Sequence, residues 1–104
     1  MKISELRIGN YVLDELGLFV EVDIESLLNN KFKQYSPIPL TQEWLLKFGF
    51  DDLGDYGFGI GEFHIRMHSN ELYFPISNRK IYIINVHQLQ NLYFALTYKE
   101  LELK

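Results

Sequence analysis

Between Glu62 and Leu96 the apolar residues repeat first at every second position and then along one helical stripe. Phe63, Ile65 and Met67 alternate with His64, Arg66 and His68; Leu72, Phe74 and Ile76 flank Tyr73; Ile81 and Ile83 flank Tyr82. A period of two puts alternate side chains on opposite faces of a half-buried strand. Ser69-Asn70 and Asn78-Arg79 supply turns, so the three segments predict an antiparallel meander. Pro75 has no N–H for a ladder, which puts its strand at an edge or ends it there. Leu89, Leu92, Tyr93 and Leu96 then follow i, i+3, i+4, i+7 spacing, which predicts a helix over Val86–Thr97 packed on the meander's inner face. Asn85 with Gln88 fits a capping box, and Ile84 with Leu89 fits a hydrophobic staple. The expected class is α+β: a curved antiparallel sheet with one short and one longer helix.

The short helix lies in PIPLTQEWLLKFGF. Pro37 and Pro39 keep the chain extended. Thr41 is a suitable N-cap, Leu40 and Leu45 a staple, and Gly49 a helix end after Gln42–Phe48. Upstream, Ile8-Gly9-Asn10 and Asp14–Gly17 read as turns, with strands at Tyr11–Leu13 and Leu18–Ile24. Two short strands around a glycine turn resemble the start of an SH3-like barrel. Phe32–Ser36 and the tail through Leu101 and Leu103 read as further short strands. Five of the seven glycines lie between Gly49 and Gly61, so Asp51–Gly61 reads as a flexible loop carrying Tyr56 and Phe58. A length of 104 residues predicts one domain, 1–104.

Composition removes several chemistries. The absence of cysteine excludes disulfides, thiolate nucleophiles and Cys-ligated zinc. GDYGFGIG lacks the Gly-Lys-Ser/Thr ending of a phosphate-binding loop. His64 and His68 lie about 13 Å apart on a regular strand, too far to share a metal. No serine sits in a nucleophile elbow, and the carboxylates have no acid–base spacing. The expectation is a protein with no catalytic residues, no metal and no cofactor. Neither a signal-peptide core nor a membrane span is present in the sequence, which predicts a soluble cytoplasmic protein with no membrane partner.

The net charge is −4 and the pI about 5.3. Acidic residues cluster at Asp14–Glu25 and Asp51–Glu62, whereas the basic residues are scattered. That disfavours direct nucleic-acid binding and suits a basic protein partner, although solubility alone also accounts for such carboxylates. Three surfaces are candidates for contact. The first is the Tyr56/Phe58 loop with Asp51, Asp52 and Asp55. The second is the outer sheet face with His64, Arg66, Tyr73 and Tyr82, where aromatics and arginine suit an interface and tyrosines also suit stacking on single-stranded RNA. The third is a stripe of His87, Gln90, Asn91 and Phe94, opposite the leucine stripe of the long helix. It reads either as a recognition surface or as a second buried side with its amides bonded to nearby backbone.

The tracts ELRIGNYV, PIPLTQEWLLKFGF and VHQLQNLYFALT, followed by KELEL, resemble a family of small uncharacterised proteins from Bacteroidetes phages and prophages. The resemblance runs from about Leu6 to Leu103 in the same order. It departs in the glycine-rich tract, in the meander, and at Tyr98, where glycine is expected after the helix. It carries over no catalytic or binding residues. Phage origin implies a protein that binds and inhibits a bacterial defence protein, such as an RNA-guided CRISPR nuclease carrying its guide RNA. The alternatives are a self-associating structural or adaptor protein and a single-stranded RNA-binding module.

Overall fold

In the computed structural model, which describes residues 1–104, the chain begins with a 3₁₀ turn at Ile3–Glu5 and a short hairpin. Strands β1 (Tyr11–Leu13) and β2 (Phe19–Glu21) pair with Val12 opposite Val20. The Asp14 carboxylate accepts from the N–H groups of Leu16 and Leu18 and closes the connecting turn. This hairpin is separate from the main sheet and closes no barrel.

The expected strand over Leu18–Ile24 stops at Glu21, because the next residues form a helix start. Asp23 accepts from Ser26 N–H at 2.8 Å, and Ser26 Oγ accepts from Asp23 N–H at 3.2 Å. That capping box begins α1 (Ile24–Leu28), a helix the alternating pattern concealed. The Ser26 N–H bond also holds the Asp23 carboxyl below its ordinary range. Lys31–Gln34 is a 3₁₀ turn where a strand was expected; only Ser36 pairs, through a single bridge to Leu13. Thr41 caps α2 (Gln42–Lys47), and Gly49, at φ +87°, ends it as the sequence predicts.

The glycine-rich tract is ordered structure. It holds β3 (Asp51–Asp52), a 3₁₀ turn at Gly54–Tyr56, and β4 (Phe58–Ile60). Gly57, at φ +95°, permits this course: a Cβ there would overlap the Ile65 carbonyl oxygen. With β5 (Phe63–His68), β6 (Glu71–Ile76) and β7 (Arg79–Tyr82), these strands form one antiparallel sheet in the order β3-β4-β5-β6-β7. The meander is therefore the sequence's three strands plus two it hid in glycines.

Pro75 lies within an interior strand, yet the ladder loses nothing. Ile83 N–H donates to the Leu72 carbonyl, so even-numbered residues of β6 bond toward β7 and odd ones toward β5. The β5 pairing ends at Arg66 opposite Tyr73. The Pro75 nitrogen thus points past the last rung, which makes this position a local edge.

Helix α3 (Val86–Thr97) crosses the inner face of the sheet. The core joins Leu45, Phe48 and Phe50 to Phe58, Phe63, Ile65, Leu72 and Ile83, with Val86, Leu89 and Leu101 closing it. The tail forms no strand, and Leu101 alone enters the core. The Asn85 side chain makes no cap. Gln88 turns back instead, accepting from Ile84 N–H and donating to the Tyr82 carbonyl, each at 2.8 Å. Tyr98, where the resemblance predicts glycine, still ends the helix in the left-handed region at φ 61°. That conformation disfavours side chains other than glycine and asparagine.

Candidate functional site

The polar stripe of α3 is an internal seam. Gln90 is 0% exposed; its Oε1 accepts from Tyr11 N–H at 2.8 Å and its Nε2 donates to the Gly9 carbonyl at 2.9 Å. Asn91 Oδ1 accepts from Asn10 Nδ2 at 2.8 Å and Arg7 Nε at 3.1 Å. Arg7 continues outward: its guanidinium lies 4.3 Å from the Phe94 ring centroid and pairs with Glu100. Gln90 and Asn91 bond to the N-terminal segment and Phe94 lies against Arg7, so these three are not free recognition groups. His87 is 7% exposed, and its Nδ1 is buried without a partner. Burial holds its imidazole below the ordinary value, against an opposing pull from Glu5.

The outer sheet face has the opposite character. Arg66 pairs with Tyr73, and Tyr73 with Tyr82, so these three side chains form one row across β5, β6 and β7. The tyrosine rings lie 6.0 Å apart, tilted by 58°, and Lys80 Nζ sits 5.0 Å from the Tyr73 ring centroid. Lys80 was missed in the sequence; its spacing of two from Tyr82 already placed it on the same face. Arg66 makes no ion pair, the chain's single pair being Arg7–Glu100. Arg66 and Tyr82 are exposed and Tyr73 is half-buried.

The loop candidates separate. Phe58 is 2% exposed and faces the core from β4, paired with Ile65, which removes it as a contact residue. Tyr56, in the neighbouring 3₁₀ turn, is 77% exposed. Pairing sets Asp51, Gly59 and His64 in one outer-face rung. Asp52 lies on the opposite face with Phe58, and its carboxylate accepts from Gly54 N–H at 2.9 Å. Asp55 is exposed beside Tyr56. The three aspartates are therefore no single patch, and the two in β3 also protect a short edge strand from adding another chain.

Tyr56, His64 and Arg66 do come together. With Leu53 and Pro75 they line a groove of about 420 Å³ at the β3–β5 corner of the outer face. Gly59 lets two of the lining side chains pack close: a Cβ there would come within 2.6 Å of His64 Cδ2 and 3.0 Å of Leu53 Cδ1. The residues that sequence reasoning missed here, Leu53, Gly59 and Pro75, carry no chemical signal, because they contribute shape. No group of three or more His, Cys, Asp or Glu residues could hold a metal, and no helix is long and apolar enough to cross a membrane. The chain matches no family model, no curated protein and no solved structure.

Proposed function

We propose that this is a non-catalytic binding protein that docks its outer sheet face on a protein partner. The Arg66–Tyr73–Tyr82 row with Lys80 carries the reading. Aromatic and arginine side chains are the groups that dominate interface energetics, and here they are spared from the internal bonding that absorbs the α3 stripe. No converging nucleophile, base or metal ligand set competes with it. The resemblance to phage proteins makes the partner a bacterial defence protein, such as an RNA-guided nuclease, inhibited by being occupied. Asp51, in the His64 rung, and Asp55, next to Tyr56, lie toward the Arg66 end of the row and suit basic groups around the partner's docking surface.

Affinity capture from a native host lysate, read by mass spectrometry, tests this. The wild-type chain retains a defence protein; the Tyr73→Ala/Tyr82→Ala variant releases it. High salt and charge reversal at Asp51 and Asp55 weaken retention. Equal retention by the tyrosine variant sinks the outer-face reading, and retention indifferent to salt and charge reversal removes the electrostatic part.

Self-association by sheet extension has little support. The β3 edge is two residues long and acidic. At the β7 edge, Gln88 occupies the Tyr82 carbonyl and the Ile84 N–H.

A further inference from the structure

We infer that the corner groove of the outer face is a seat for one carboxylate side chain of a protein partner, presented next to an apolar or aromatic residue. This rests on the docking reading above and names the chemistry that reading leaves open. Arg66 reaches the groove with its guanidinium uncommitted, and a guanidinium fork matches a carboxylate in two parallel bonds. His64, two residues away on the same face, adds a ring nitrogen, and Tyr56 a phenol from the adjoining turn. Leu53 and Pro75 give this polar set an apolar wall, and Pro75 is held rigid by its ring. A few polar groups converging in a mainly apolar concavity is the common form of a specific site.

The borders select the occupant. Asp51 shares the His64 rung and Asp55 precedes Tyr56. A continuous run of phosphates crossing this corner meets those carboxylates, and the chain's net charge of −4 repels it further. A single carboxylate brings one charge, set against Arg66, while the neutral or basic surface around it faces Asp51 and Asp55. The groove thus favours an acidic anchor residue of a protein over RNA.

The full-length chain, isotope-labelled for NMR, is titrated with acetyl-Asp-Phe amide, acetyl-Asn-Phe amide and an oligouridine. The expected result is saturable shifts at Leu53, Tyr56, His64 and Arg66 with the Asp peptide. Affinity falls about tenfold for the Asn peptide and for Arg66→Gln, the size of losing a charge-assisted bond. Arg66 is exposed, so the variant's spectrum away from the groove should superpose on the wild type. Equal affinity for the two peptides, no saturation by about 10 mM, or tighter binding of oligouridine at these residues overturns the assignment. In lysate capture, a partner lost by Tyr73→Ala/Tyr82→Ala but kept by Arg66→Gln defeats the groove and leaves the docking face. A partner kept by both variants defeats the docking face itself.

Discussion

The polar stripe of α3 and the outer face of the sheet share a composition, each mixing histidine, aromatic and hydrogen-bonding side chains, but they differ in what lies opposite. The α3 stripe meets the segment from Glu5 to Tyr11, whose bent course turns backbone groups toward it. Gln90 and Asn91 satisfy those groups one by one. On the outer face Arg66 and Lys80 find no ion-pair partner; Lys80 lies against the Tyr73 ring, and Arg66 lines an open groove. A polar-aromatic stripe is thus a binding surface only where the chain supplies no internal partner for it. The tracts ELRIGNYV, PIPLTQEWLLKFGF, VHQLQNLYFALT and KELEL supply the first side of this divide. Arg7, Asn10 and Tyr11 come from one tract, Gln90 and Asn91 from another, and Glu100 from the tail. Trp44 and Phe48, from the third tract, pack their rings within about 6 Å of Tyr11. These tracts therefore build the seam that holds the fold together, and the open face comes from the strands between them.

The seam should break hardest at Gln90. Gln90→Ala removes both bonds and leaves the Tyr11 N–H and Gly9 carbonyl without their partner. Each orphaned buried group costs about 1–3 kcal/mol, so urea unfolding should show a loss of roughly 3 kcal/mol. A loss below about 1 kcal/mol would mean water replaces the amide, and the two stripes would then differ less than the bonding suggests. Asn91→Ala should cost less, about 2 kcal/mol, because Arg7 retains Glu100 and Phe94 while the buried Asn10 amide loses its acceptor.

His87 gives the seam a pH dependence. Its folded-state pKa lies below the unfolded value of about 6.5 because burial disfavours the cation. The unfolded chain takes up a proton that the folded chain refuses, so stability is full above pH 6.5 and declines as pH falls through the window beneath it. Thermal unfolding of His87→Phe measured across that window should show a flatter acid limb than the wild type. An unchanged limb would assign the acid sensitivity to carboxylates instead.

These contrasts were only partly legible in the residues. The Phe63–Ile83 meander and α3 were, because hydrophobic period survives in any context where one face is buried. Two strands of the sheet were not. Asp51–Asp52 is too short to show a period, and in Phe58-Gly59-Ile60 glycine stands where alternation would place an outer side chain. Helix α1 hid because Val20, Val22 and Ile24 alternate like a strand while Asp23 and Ser26 close a cap. Of the site residues, His64, Arg66, Tyr73 and Tyr82 followed from strand parity alone. The burial of Phe58 did not, since its place depends on a tertiary pairing with Ile65. Nor did the fate of the α3 stripe, because the choice between open and buried is made by the Glu5–Tyr11 segment, more than 70 residues away in sequence.

The outer face should yield the smallest stability effect of all. Tyr73 and Tyr82 lie on the solvent side of the sheet, and their removal forfeits one tilted ring contact and the Lys80–Tyr73 approach. Cross-strand pairs of this kind are worth about 0.2–1 kcal/mol. Tyr73→Ala/Tyr82→Ala should therefore lose less than about 1 kcal/mol in urea unfolding, a fraction of the Gln90→Ala loss, while abolishing partner capture. A loss approaching that of Gln90→Ala would place the tyrosines among the residues that hold the sheet together. Their exposure would then need no partner to explain it, and the distinction between a sealed stripe and an open one would fail where it matters most.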